Sequence, residues 1–266
     1  MKAFFDGNRN LWNQWTKIHV NSDFYDVASF IKGKNTIDPF ELDEVGPVGG
    51  KTLLHLQCHF GLTTLSWARL GAVVTGVDLA GEAIKTANQL AGQIKQPAAF
   101  IESNVYDLPA KLETQFDIVY TSFGVLNWLP DLTRWAQICF DYVKPGGFLY
   151  LAEYHPFTWV FDEKNPDQLE VGYDYFDQEV LIEPIVGSYA DPVAVINQKE
   201  SYEWAHPMGE VLTSLIQAGF QLEFVHEFDF SNYKRYPFLM RNEAGMWVMP
   251  EGKARIPLMF SVRANK

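Results

Sequence analysis

From Lys51 onward the chain alternates apolar runs of strand length with segments of helical period, and this alternation restricts its fold more than any other feature. The runs are Thr52 to Leu56, Val73 to Val77, Ala98 to Ile101, Phe116 to Tyr120 and Phe148 to Ala152. Between them, Leu62 to Leu70 reads as a helix ending at Gly71, and a second helix runs roughly from Glu82 to Ile94 before Pro97. Leu132, Trp135, Ala136, Cys139, Tyr142 and Val143 form a third helical stripe, closed by Lys144-Pro145-Gly146-Gly147. Strand following helix following strand is the signature of a parallel sheet covered by helices on both faces. Adding Phe220 to His226 and Pro257 to Arg263 gives an α/β, Rossmann-like, mostly parallel sheet of seven core strands.

Four segments follow from where the pattern starts and breaks. Residues 1–50 read as an N-terminal helical cap: Leu11, Trp12, Trp15, Ile18 and His19 recur at helical spacing, and Gly46-Pro47-Val48-Gly49-Gly50 ends the segment. Residues 51–155 carry the five strands of the first half. Residues 156–205 break the alternation and read as a strand-rich, acidic insertion over the substrate side, with strands expected at Tyr173 to Phe176, Val180 to Val186 and Val193 to Trp204. Residues 206–266 return to helix, with Pro207 at its start and Gly219 at its exit, and then supply the last two strands.

A net charge of −12 disfavours surfaces built to meet nucleic acid or anionic lipid. The charge is uneven: residues 1–150 carry −3, 151–230 carry −14 and 231–266 carry +5. The acidic stretch also holds 14 of the 40 aromatic residues, so it is either a selector for a neutral or cationic ligand or a solvated face. Two cysteines, Cys58 and Cys139, are too few for a disulfide framework and point to a reducing cytoplasm; no signal peptide or membrane span is expected. The sequence leaves the oligomeric state open.

The chemistry gathers after the first strand. Thr52 to Thr64 reads as strand, tight loop and helix, and Asp78 follows Gly61 by 17 residues at the end of the next strand. This is the arrangement of a nucleotide site: the helix offers free N–H groups, and the carboxylate can accept from both hydroxyls of a ribose. A pyrophosphate needs closely spaced glycines in the loop, whereas this loop has Gly61 alone, which disfavours a dinucleotide.

In order through residues 52–152 the chain resembles the class I S-adenosylmethionine-dependent methyltransferases. Gly61 and Thr63 fall at the end of the family's first motif, and Asp78 in Gly76-Val77-Asp78-Leu79 falls at its ribose-binding acid. Ser103-Asn104-Val105-Tyr106-Asp107-Leu108-Pro109 is similar to the family's Gly-Asp-Ala-x-x-Leu-Pro stretch, Phe116-Asp117-Ile118-Val119 to its fourth strand, and Val143-Lys144-Pro145-Gly146-Gly147 to its Leu-Lys-Pro-Gly-Gly turn. The resemblance implies S-adenosylmethionine as cofactor, with S-adenosylhomocysteine as product. It implies cofactor contacts at His55, Gln57, Cys58, His59, Gly61, Asp78, Leu79, Asn104, Val105, Tyr106 and Ser122.

Three departures stand out. His55, Gln57 and His59 replace the family's usual acid and first two glycines. Leu126-Asn127-Trp128 replaces Leu-His-His, removing a histidine that serves as base in some relatives. Ser122-Phe123-Gly124 replaces the Asn/Asp-Pro-Pro-Tyr of enzymes that methylate adenine, cytosine or glutamine nitrogens.

A small-molecule acceptor is therefore expected, with no nucleic-acid partner. Trp15, His19, Tyr25 and Trp128 are placed on the substrate side, where an aromatic enclosure would shield a sulfonium from water. Trp12 reads as packing for the cap. His155, directly after the fifth strand in Glu153-Tyr154-His155-Pro156, is the leading candidate for a general base, with a hydrogen-bonded hinge residue as its structural alternative. His55, Cys58 and His59 fall short of the four ligands of a structural zinc, so no metal is expected. Two other functions are compatible with these residues: a non-catalytic S-adenosylmethionine-binding sensor or scaffold, and an NAD(P)-dependent oxidoreductase, which the single-glycine loop opposes.

Overall fold

The computed structural model describes all 266 residues. Its first half is helix α1 (Lys2–His19), α2 (Val27–Ile31), α3 (Pro39–Val45), strand β1 (Thr52–Leu56), α4 (Leu62–Arg69), β2 (Val73–Asp78), α5 (Gly81–Gln93), β3 (Ala99–Glu102), β4 (Phe116–Ser122), α6 (Leu132–Tyr142) and β5 (Val143–Tyr154). Then follow β6 (Leu181–Pro184), β7 (Glu200–Glu203), α7 (Met208–Ala218), β8 (Gln221–Phe228), β9 (Phe230–Ser231), β10 (Met240–Arg241), β11 (Trp247–Val248) and β12 (Met259–Asn265). No helix is long and apolar enough to cross a membrane.

The main sheet has seven strands in the order β3-β2-β1-β4-β5-β12-β8. β1 to β5 pair in parallel, while β12 runs antiparallel to both β5 and β8. The alternation of side chains along each strand divides the core into two layers. Leu54, Leu56, Val119, Leu149 and Leu151 face α6 and α7, whereas Leu53, Ile118, Tyr120, Phe148 and Tyr150 face Trp67 of α4 and Val45 of α3. The α6 stripe buries Leu132, Trp135, Ala136, Ile138, Cys139 and Tyr142, and Asp131 caps its first turn by accepting from Arg134 N at 2.9 Å. Each large apolar side chain taken out of water contributes roughly 1.5–3 kcal/mol, so this face, rather than helix propensity, holds α6.

The helical cap is fastened to residues far along the chain. Asn8 of α1 bonds both ways across to β7, its Nδ2 donating to Tyr202 O at 2.7 Å and its Oδ1 accepting from Tyr202 N at 3.0 Å. Trp15 Nε1 donates to Gly187 O at 2.8 Å. The cap and the 156–205 segment therefore form one cover across the carboxyl edge of the sheet.

That segment contains less strand than its composition predicts. Only β6 and β7 form, as one antiparallel pair. At the expected strand Tyr173 to Phe176, Asp174 turns the chain by accepting from Phe176 N at 2.8 Å, and Asp177 repeats the device with Glu179 N at 2.9 Å. Such local side-chain bonds compete with a ladder for the same N–H groups. In the Val193 to Trp204 run, Asp191 Oδ1 accepts from Val193 N and Gln14 Oε1 from Asn197 N, so pairing begins only at Glu200. A further small sheet, β10-β11-β9, has no counterpart in the sequence reading, because its strands are two residues long.

One buried carboxyl gives this fold a pH signature. Glu41 is 1% exposed, accepts from Asp38 N at the start of α3 and from the Tyr120 hydroxyl, and is pushed up to about 8 by burial. A pKa raised on folding stabilises the protein fully below the unfolded value near 4.5, and that contribution is lost as pH rises through about 8. Glu41→Gln keeps a neutral acceptor for Tyr120 and should flatten stability across this window. Urea midpoints of both proteins at pH 5 and pH 8.5 test this; equal pH slopes would remove Glu41 as the source.

Candidate functional site

A cavity of about 740 Å³ opens along the carboxyl edge of the sheet, beneath the cap. The β1–α4 loop forms one wall. Gly61 precedes α4 at φ +80°, and a Cβ there would lie 2.8 Å from the Phe100 ring, so glycine is required on both counts. Gln57 and His59 also have positive φ, +56° and +50°, although neither is glycine. The backbone thus keeps a left-handed conformation at the two positions where the resembled motif has glycine. Strain of this kind persists where the surroundings over-determine it.

Those surroundings are specific. Asp78, at the end of β2, accepts from His59 N and Ala80 N, each at 2.8 Å, and burial pushes its carboxyl up to about 6. Gln57 Nε2 donates to Val125 O at 2.8 Å. The Val125 turn is in turn held by Glu153, whose buried carboxylate accepts from the backbone N–H groups of Gly124, Val125, Leu126 and Tyr154.

His59 leans towards the cap. Its Nε2 meets His19 Nδ1 at 2.9 Å, and His19 Nε2 meets Ser188 Oγ at 2.9 Å, joining the loop, α1 and the 156–205 segment in one chain of hydrogen bonds. Burial lowers His19 to about 3 and holds His59 well below the ordinary histidine range, with His19 adding to the effect, so both rings are neutral. His55, also lowered to about 3 by burial, bonds Thr64 Oγ1 through Nδ1 at 2.8 Å. Buried His55 Nε2, Gln57 Oε1, His59 Nδ1 and Asn127 Oδ1 have no partner in the protein, and all four residues line the cavity. Polar atoms left this way call for a partner that the protein itself does not supply.

The cavity brings together most of the residues expected from sequence. His55, Gln57, Cys58, His59, Gly61, Asp78, Leu79, Asn104, Val105 and Ser122 line it, as do Trp15, Tyr25 and Trp128. Asn104 also caps the turn Val105–Ala110, its Oδ1 accepting from Tyr106 N at 3.0 Å. Trp12, read from the sequence as packing, lines the cavity and meets Trp128 edge-on at 5.3 Å.

Three positions differ from expectation. His155 lies outside the cavity: its Nδ1 accepts from Phe157 N at 3.1 Å and its Nε2 meets Glu227 Oε1 at 2.8 Å. With both ring nitrogens engaged, it ties the end of β5 to the following turn and to Glu227, away from any ligand in this cavity. Tyr106 turns away to donate to Asp131 O at 3.0 Å and lies against Arg134, so it contributes no cavity wall. His19 is fully buried behind His59 and supports that ring instead of facing a ligand.

Sequence reasoning missed the far wall: Tyr154, Trp159, Glu163, Glu203, Tyr233 and Arg235. Its residues follow no motif: Trp159, Glu163 and Glu203 fall in the segment expected over the substrate side, but nothing in the sequence singles them out, and Tyr154, Tyr233 and Arg235 lie outside it. Of the acidic residues in the 156–205 segment, only Glu163 and Glu203 line the cavity, while Asp167, Glu170, Asp174, Glu179 and Glu200 are exposed, as on a solvated face.

Residues 54–149 match a family model described as a methyltransferase domain. The ubiquinone biosynthesis O-methyltransferase of Albidiferax ferrireducens is 32% identical over 133 residues, covering 48% of this chain and 52% of that protein. The Escherichia coli protein of the same name is 30% identical over 137 residues, covering 50% and 57%. The chain thus spans about half the length of the curated relatives it matches. Among solved structures, an S-adenosylmethionine-dependent methyltransferase from Mesorhizobium loti superposes with a TM-score of 0.60 at 19% identity, over 89% of this chain and 100% of that one. A glycopeptide N-methyltransferase in complex with S-adenosylmethionine gives 0.55 at 17% identity, over 85% and 91%. The order of motifs along this sheet agrees with those likenesses: residues 54–149 match a methyltransferase domain, and the whole sheet has the Rossmann-like fold of the S-adenosylmethionine-dependent methyltransferases that it resembles.

Proposed function

We propose that the protein is an S-adenosylmethionine-dependent methyltransferase acting on a small-molecule acceptor. The observation that carries this reading is Asp78, half-buried at the end of β2 and facing the same cavity as the Gly61 loop and the start of α4. The residues present fit the cofactor: Asp78 retains lone pairs for ribose hydroxyls, and the unpartnered atoms of His55, Gln57 and His59 offer polar contacts beside it. When bound, S-adenosylmethionine supplies an electrophilic methyl on a sulfonium for in-line transfer.

The chain's own contribution is enclosure and alignment. Trp12, Trp15, Trp128 and Tyr25 keep water from the reacting side, and their π faces suit a cation. Two ring nitrogens in the cavity lack a partner, His55 Nε2 and His59 Nδ1, and burial keeps both rings neutral and weakly basic, so they serve a ligand as hydrogen-bond partners rather than as strong bases. When His59 Nε2–H donates to His19 Nδ1, and His19 Nε2–H to Ser188 Oγ, the Nδ1 of His59 carries the lone pair.

Calorimetric titration with S-adenosylhomocysteine, followed by labelled methyl transfer to a panel of phenols, amines, carboxylates and thiols, tests the reading. Saturable binding together with transfer to at least one acceptor is expected. Binding without transfer across the panel would make the protein a sensor or scaffold, and absence of binding would overturn the assignment.

A further inference from the structure

The end of the cavity away from Asp78 is built around a cation. Arg235, in the chain between β9 and β10, faces the cavity with a side chain only 11% exposed. Its guanidinium carbon lies 4.0 Å from the ring centroid of Trp159, in the turn that follows β5. A guanidinium taken this far out of water needs an anionic partner. The carboxylate it meets is Glu163, at 3.8 Å, and Glu163 is itself 56% exposed. A charge-assisted contact of full strength is about 2.7–2.9 Å, so this pair is loose. Arg235 Nε, meanwhile, is buried with no partner at all. Glu203, the other carboxyl on this wall, is occupied by Asn127 Nδ2 at 2.8 Å and Ser201 Oγ at 2.7 Å.

Topology sets this cation apart from the proposed ribose site. The order β2-β1-β4-β5 places three strand spacings, about 14 Å, between the strand ending in Asp78 and the strand leading to Trp159. Arg235 therefore belongs to the acceptor's half of the cavity.

We infer that Arg235 selects acceptors that carry a carboxylate on a flat aromatic body. Nε of the guanidinium lacks a partner, its Nη2 meets Glu163 only loosely, and Trp159 covers its face, so its donors are available to a carboxylate, which can accept from two N–H groups of one guanidinium at once. Tyr154, Tyr233 and Trp128 supply an aromatic wall for the rest of the molecule. Glu163 and Glu203 nearby disfavour a dianion such as a phosphate monoester and leave the monoanionic carboxylate as the better match. This inference rests on the methyltransferase reading only in calling the ligand an acceptor; the anion site itself is a property of the wall.

The test compares binding of benzoate with benzamide, and of indole-3-carboxylate with indole-3-carboxamide, by calorimetry on the full chain with and without S-adenosylhomocysteine. In the wild type, the acid of at least one pair should bind tenfold or more tighter than its amide. Arg235→Gln should abolish the preference, Arg235→Lys should restore part of it, and the affinity for S-adenosylhomocysteine should change less than twofold in either variant. Equal binding of acid and amide in both pairs, or a preference that survives Arg235→Gln, overturns the inference. The wild-type comparison decides the matter even if a variant fails to fold. Failure of S-adenosylhomocysteine to bind the wild type counts against the methyltransferase reading instead, and the acid–amide comparison made without it still reads the anion site.

Discussion

Asp78→Ala is expected to weaken S-adenosylhomocysteine binding by roughly 100-fold or more. Hydrogen bonds to a charged acceptor contribute about 1.5–3 kcal/mol each, and two ribose hydroxyls are at stake. The substitution also leaves His59 N and Ala80 N without their acceptor, which loosens the loop that would meet the cofactor. Asp78→Asn keeps one oxygen in place and should lose about tenfold. The wild type should show a pH dependence that neither variant has. Burial sets the carboxyl at about 6, and only its ionised form accepts from both hydroxyls, so affinity should fall as pH drops through that value. Fold stability responds with the opposite sign: a raised carboxyl pKa stabilises fully below the unfolded value and that contribution is lost as pH rises through about 6. Calorimetry at pH 5, 6 and 7.5 measures the affinity term. Unchanged affinity in the alanine variant would sink the ribose assignment.

Glu153→Ala should be the most destabilising single change next to the cavity. One carboxylate serves four backbone donors, with Val125 N at 2.7 Å and Leu126 N at 3.1 Å among them, and Glu153 is 5% exposed. Burial pushes its pKa up, while those four N–H groups hold it down. A buried donor left without a partner costs about 1–3 kcal/mol, so a net loss on the order of 4 kcal/mol is expected even if some find water. For a chain of this size that is a fall in melting temperature of roughly 10 °C. Glutamine should not rescue, because its amide would turn a donor towards backbone donors. Cofactor affinity should fall too, since the Val125 carbonyl that this carboxylate positions is the anchor of Gln57. Thermal unfolding of both variants decides the matter, and a melting temperature within 2 °C of wild type would show that the turn holds itself.

The legible part of the site is the part made by neighbours in sequence. The Gly61 loop, Asp78 and Asn104 each stand at the end of a parallel strand or in the first turn beyond it, so the strand pattern alone carries them to one edge. His155 occupies the same kind of position, yet its hydrogen bonds match the structural alternative that the sequence left open beside a general base. Strand-end placement does not say which way a ring turns, and Phe157 N and Glu227 turn this one away. His19 failed in a related way, because helical period brings it to the buried face without saying that His59 stands between it and the cavity.

By itself the sequence determined the seven-stranded sheet, its helices, the glycine before α4 and the acid at the end of β2, since periodicity, capping and motif spacing all act over a few residues. Only the tertiary structure decided that His59 is held by His19 and Ser188, that the acidic insertion turns most of its charge to solvent, and that Arg235 meets Trp159 inside the cavity. Those contacts join segments far apart in the chain through loops that carry no period. The feature that dominates the sequence, its regular alternation of strand and helix, therefore accounts for the half of the cavity proposed to hold the cofactor, while the half proposed for the acceptor is set by long-range packing.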